Sequence, residues 1–227
     1  MESTYTAQSH SVTLSKGSSD LDVLVVTSHD NPDPTSVQRS FASLNLPESI
    51  LGLELTTVSI EDLGSTHFLK PFQYHLNIKN QGIRYVIGNG HPGDADLVLH
   101  YEVARRVGIP ILGPPAENLF PPQSRNVVLQ ALAAELEWAL ENNDVTYAVL
   151  NSARAHLYVR DGRMCSKLDG WLRARTFTED AEYFDVTLLR YLSPKDVNPS
   201  LQKKLPNYES WAHAYVESIK HEIQKAI

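Results

Sequence analysis

One cysteine, Cys165, stands in 227 residues, which excludes an intramolecular disulfide and any cysteine-rich zinc site, and a reducing compartment fits. No stretch approaches the roughly 18 consecutive apolar residues of a membrane span. The opening, MESTYTAQSHSVTLSKGSSD, lacks the apolar core of a secretory signal, so residues 1–16 are expected to be a loose tail and the protein cytoplasmic. Basic residues are also in short supply. Twenty Lys and Arg face 27 Asp and Glu, a formal charge of −7, which argues against a nucleic-acid partner that needs a basic face. Internal repeats and low-complexity tracts are absent. What remains is an ordinary globular composition, 42% hydrophobic and 21% charged, in a chain long enough to bury a substantial core.

The first half alternates strand and helix signals. LDVLVVT (21–27) and LELTTVSI (53–60) are strands of the buried type, YHLNI and IRYVIG are shorter candidates, and NPDPTSVQRSFASLN offers turn residues followed by a short helix with Val37, Phe41 and Leu44 at helical spacing. DADLVLHYEVARRVG predicts a helix capped by Asp94, with two arginines in its last turn and Gly108 as its stop. After PPQSRN (121–126) every segment is helical: VVLQALAAELEWALEN, DVTYAVLNSARAHLYVRDG, SKLDGWLRART, EDAEYFDVTLLRYL and YESWAHAYVESIKHEIQKAI. Short connections make neighbouring helices antiparallel. The expected fold is therefore α+β, a mixed sheet with helices followed by an all-helical bundle. The boundaries are 1–16 for the tail, 17–120 for the sheet domain and 121–227 for the helical domain.

Chemistry concentrates at the mouth of the first strand. In SDLDVLVV, Asp20 and Asp22 share one face, about 7 Å apart along the strand. Two anions so placed either form a solvated polar strand end or hold a divalent cation, which takes hard oxygen ligands and bridges to phosphates. Glu54, inside LELTTVSI, joins them on one face if the two strands are sheet neighbours, and a carboxylate in such a site can serve as general base. The nine histidines show no ligand spacing on one face and are expected at surfaces and junctions. GNGHPGD lacks the lysine of a phosphate loop, and Cys165 has no partner base in the sequence.

The order of these pieces resembles the aminoglycoside 3''-adenylyltransferases of the nucleotidyltransferase superfamily. SDLDVLVVT resembles the Asp-x-Asp strand. LELTTVSIEDL, DADLVLHYEVARRVGIPILGPPAENLFPP and DVTYAVLNSARAHLYVRDGRMCSKLDGWL follow in the family's order across residues 17–227. The resemblance implies transfer of AMP from Mg-ATP to a drug hydroxyl, antibiotic resistance as the outcome, a small aminoglycoside-like partner and a monomer. It implies Asp20, Asp22 and Glu54 as metal ligands, Glu54 also as catalytic base, Ser18, Ser19, Lys167 and Arg154 at the nucleotide, and Asp144 and Tyr147 at the acceptor. Lys167 and Asp144 also have plainer roles open to them, as a solvated helix lysine and a helix N-cap.

Three departures accompany the resemblance. The family's phosphate-gripping Gly-Ser stands about ten residues before the Asp-x-Asp on a helix N-terminus, whereas Gly17-Ser18 here is two residues before Asp20 with 16 residues ahead of it. The expectation is an N-terminally shortened nucleotidyltransferase domain, with a degenerate, catalytically impaired binding protein as the alternative function. The family's drug-stacking tryptophan is missing near YHLNIKNQ, and Tyr147 replaces a histidine found in streptomycin-modifying members.

Overall fold

The computed structural model describes residues 4–8, 20–28, 33–41, 52–79, 82–142, 145–192 and 207–227. Two compact units divide the chain, one up to Gln123 and one from Ser124.

The first unit is built on a six-stranded mixed sheet ordered β5-β4-β3-β2-β1-β6. Its strands are β1 (Thr4–Gln8), β2 (Leu21–Thr27), β3 (Gly52–Ser59), β4 (Tyr74–Lys79), β5 (Gly82–Ile87) and β6 (Ile109–Leu112). Strands β2 and β3 run parallel from Leu21↔Leu53 to Thr27↔Ser59, and every other pairing is antiparallel. The β-branched run of β2 explains its central place. Val23 and Val25 join Leu53, Leu55, Tyr74, Leu76 and Ile78 in one core, against which Val37 of helix α1 (Pro34–Phe41) packs. Leu24, Val26 and Val58 face the other way and meet Leu97, Tyr101 and Ala104 of helix α2 (Asp96–Val107), with Phe120 just after helix α3 (Ala116–Leu119). Each such large apolar side chain, fully buried, contributes about 1.5–3 kcal/mol.

Helix α2 begins at Asp96 rather than at Asp94. Its backbone amide donates to Asp94 Oδ1 at 2.9 Å, so the aspartate caps from two residues ahead. The same Asp94 exchanges two backbone hydrogen bonds of 2.9 Å with Lys70, which fastens the loop after β3 to the start of α2.

The expectation of a loose tail over 1–16 is corrected at Thr4–Gln8. These residues form β1, which pairs antiparallel with β2 from Thr4↔Val26 to Gln8↔Asp22 and with β6 on its other side. Thr-Tyr-Thr carries real strand preference, but tertiary pairing with two neighbours, not apolar content, recruits it.

The second unit contains α4 (Arg125–Asn142), α5 (Val145–Asp161), α6 (Lys167–Thr176), α7 (Ala181–Leu192) and α8 (Tyr208–Ala226). Eleven of the 17 residues of α5 are buried, which makes it the central helix. Helix α6 approaches it at Gly170, where an added Cβ would lie 2.7 Å from the backbone nitrogen of Arg154. An aromatic layer closes the far side: Trp211 stacks on Tyr183 and Tyr215 at 4.7 and 5.6 Å, with Phe184 edge-on.

That contact makes a test of the helical packing. Gly170→Ala forces backbone against backbone and should lower stability by about 1–3 kcal/mol, whereas Gly64→Ala, with nothing within 4 Å of the new methyl, should change it by less than about 0.5 kcal/mol. Urea denaturation followed by circular dichroism measures both.

Candidate active site

The site is assembled by strand register. Parallel pairing sets Asp22 directly beside Glu54, and antiparallel pairing sets Asn77 on Glu54's other side. Directly opposed residues share a face, so a polar row crosses β2, β3 and β4 on the side that, further along the strands, packs against α2. The next row toward the strand starts holds Asp20, Gly52 and Lys79. Asp20 Oδ2 lies 3.0 Å from Lys79 Nζ, and Gly52 between them leaves the passage, since a Cβ there would sit 2.9 Å from Asp20 Oδ1. The row on the other side of Glu54 pairs Thr56 with His75, whose Nδ1 is 2.9 Å from Thr56 Oγ1 and whose Nε2 is 3.7 Å from Glu54 Oε1.

The electrostatics of this patch are those of an under-compensated acidic site. Burial raises the Glu54 carboxyl to about 7, with His100 opposing the rise and the anions Asp22, Asp96 and Asp20 reinforcing it. His100, one turn into α2, shows the complementary response. Burial works against its charge, yet Asp96, 3.0 Å from its Nε2, together with Asp22 and Glu54 raises it to about 10. His75 is displaced the other way, because burial outweighs the nearby acids and keeps its ring neutral.

Asp22 and Glu54 are thus brought together, while Asp20 is turned to Lys79. Among the described residues no three His, Cys, Asp or Glu side chains gather to hold a metal ion, so the expected trio is present as an adjacent pair with a third acid engaged elsewhere. The donor chemistry nonetheless suits a hard divalent cation, with the carboxylates of Asp22 and Glu54 on one face of the sheet.

The helical unit gathers three further residues singled out in the sequence. Lys167, first residue of α6, holds its Nζ 4.0 Å above the ring centroid of Tyr147, which in turn meets Trp138 edge-on at 6.4 Å. Arg154 Nη2 pairs with Glu135 Oε2 at 2.5 Å, both largely buried. A lysine at a helix N-terminus opposes the helix dipole. Here, although burial disfavours its charge, Tyr147 and Glu135 hold the ammonium above its ordinary range. Ser166 caps the same helix by accepting from the Asp169 amide at 3.0 Å. Ser18, Ser19 and Asp144 lie outside the described residues. Burial pushes the Cys165 thiol up to about 11, which removes any nucleophilic character at neutral pH.

His75, His100, Asp96 and Lys79 were not singled out by sequence reasoning. The Asp96–His100 spacing of four on one helix was a readable signal; His75 and Lys79 are placed by the β3–β4 register, which the sequence does not specify.

The sequence matches no family model, and no curated protein matches it. Among solved structures it is similar to spectinomycin adenyltransferase AAD(9) from Enterococcus faecialis, in a crystal with ATP and spectinomycin. The TM-score is 0.68, with 18% identity over 98% of this chain and 91% of that one. At that identity the likeness is one of fold. The chain has an α+β fold with a helical C-terminal part, similar to that of the AAD(9) structure.

The raised Glu54 carboxyl has a consequence for stability. Its folded value, about 7, exceeds the ordinary 4.5, so between these pH values the folded state retains a proton that the unfolded state loses, and stability falls as pH rises. The full effect is about 3 kcal/mol. His100, raised from 6.5 to about 10, continues the decline above neutrality. Glu54→Gln should flatten the stability profile between pH 4.5 and 7 and leave the decline above it, as read from denaturation midpoints across pH.

Proposed function

We propose that this protein is a nucleotidyltransferase that moves AMP from ATP to a hydroxyl of a small, polar, cationic acceptor of the aminoglycoside type. The observation that carries the reading is the register of β2 and β3, which puts Asp22 beside Glu54 on one face at the polar end of the sheet. The fold likeness to an adenyltransferase crystallised with ATP and spectinomycin supports it.

Glu54 is the base. A carboxyl raised to about 7 is matched to proton abstraction near neutrality, because it is substantially ionised there and still basic enough to accept a hydroxyl proton. As that proton moves to Glu54, the acceptor oxygen forms a bond to the α-phosphorus and the bond to pyrophosphate breaks. Asp22 and Asp20 would hold a divalent cation, with Glu54 adjacent; when bound, the cation neutralises phosphate charge. The Lys79 pair does not bar Asp20 from this role, since exposed pairs are worth about 0–1 kcal/mol and Lys79 is 54% exposed. Lys167 and Arg154 would meet the triphosphate, where fixed positive charge stabilises the leaving group. Tyr147 and Asp144 would face the acceptor.

The test uses the full chain with α-labelled ATP, magnesium, and spectinomycin or streptomycin as acceptor. Labelled AMP should appear on the drug with one pyrophosphate released per transfer. Asp22→Asn and Glu54→Gln should each reduce the rate by about 10²–10⁴-fold, and Lys167→Ala should lower it with the base intact. A wild-type rate in Asp22→Asn would refute the assignment. Calorimetric binding of ATP with no product would identify an impaired binding protein instead.

A further inference from the structure

We propose that Lys79 is the resident counter-ion of Asp20, an ammonium lying where a divalent cation would meet this carboxylate, and that its displacement sets how tightly the site takes metal. This rests on the reading of Asp20 and Asp22 as cation ligands and deepens it by naming the residue that governs their affinity.

The contact is built across three strands. Lys79 ends β4 and is the register partner of Gly52, the first residue of β3. Asp20 stands on the far side of Gly52, one residue ahead of the Leu21↔Leu53 pair. The lysine stem runs over the glycine. A Cβ at position 52 would lie 3.1 Å from Lys79 Cγ and 2.9 Å from Asp20 Oδ1, so any other residue there would stand between the two charges. With the strand bare, Nζ comes to 3.0 Å from Asp20 Oδ2. A glycine inside a strand gives up packing and often marks a close approach, and here the approach is that of a cation to the outermost of the acids.

The ammonium holds this place weakly. Lys79 is 54% exposed and Asp20 28%, so water competes for both charges, and a four-carbon stem loses freedom by staying. A divalent ion has two advantages over it. It carries twice the charge, and it can share Asp22, two residues along β2 on the same face, as a second oxygen donor. Nζ is tethered from β4 and, among the described residues, pairs with Asp20 alone. Exchange therefore favours the ion, less the strength of the pair it displaces, which for a pair this exposed is a factor of about two to five in affinity. A lysine that only fastened the strand ends together would leave metal affinity unchanged.

The experiment needs no activity. The full chain is titrated with Mn²⁺ alone, without nucleotide or acceptor, and free Mn²⁺ is read by electron paramagnetic resonance. Lys79→Met, which keeps the stem and removes the charge, should bind Mn²⁺ about two- to five-fold more tightly than wild type. Lys79→Arg, which keeps a cation there, should stay close to wild type. Arg84→Gln removes a positive charge from the adjacent strand, at the register position opposite Asn77, and should also stay close to wild type. In an Asp20→Asn background, where the pair is already broken, Lys79→Met should bring no gain. Unchanged affinity in Lys79→Met overturns the proposal, as does an equal gain in Arg84→Gln, which would make the effect one of overall charge. Absence of Mn²⁺ binding in every variant would end the reading of Asp20 and Asp22 as ligands and this proposal with it, whereas equal binding in wild type and Lys79→Met ends the proposal alone.

Discussion

The parallel ladder between β2 and β3 is the constraint on which the sheet unit depends. Seven residue pairs, from Leu21↔Leu53 to Thr27↔Ser59, tie the apolar and the polar ends of both strands into one register. Val23 and Val25 are directed to one core while Leu24 and Val26 are directed to the other. Because side chains alternate, a slip of one residue would exchange these sets and carry Asp22 into an apolar layer. The same hydrophobic selection that fixes the fold therefore fixes Asp22 beside Glu54. Site and core are not separately specified.

Charge is managed differently at the two places where chemistry concentrates. In the sheet unit, Asp20, Asp22, Glu54 and Asp96 outnumber Lys79 and His100, and the Glu54 carboxyl, raised chiefly by burial, is raised further by its anionic neighbours. In the helical unit, Arg154 and Lys167 outnumber Glu135, and an aromatic face helps to hold the lysine's charge. The net charge of −7 conceals this local division.

Much of the architecture was legible in the sequence because it rests on local patterns. The buried strands of 21–27 and 53–60, the helix ended by Gly108 and the helical second half all follow from apolar periodicity and end signals. What escaped depends on pairing between distant segments. Thr4–Gln8 is a strand because β2 and β6 accept it, and nothing apolar within TYTAQ announces that. The Asp-x-Asp spacing declared two acids on one face, but only the β3–β4 register shows that Lys79 crosses Gly52 to reach Asp20. His75 and His100 fall within the expectation of surface and junction histidines for the same reason, since Glu54 and Thr56 reach His75 from another strand and Asp22 and Glu54 act on His100 from the sheet.

The case for chemistry does not rest on the likeness of fold. One fold carries many activities, and 18% identity over nearly the whole chain establishes common shape only. The independent element is electrostatic. Placing Glu54 beside Asp22 costs desolvation of its carboxylate, which His100 offsets only in part. A carboxyl raised by burial to about 7 is suited to taking up and giving back a proton near neutrality.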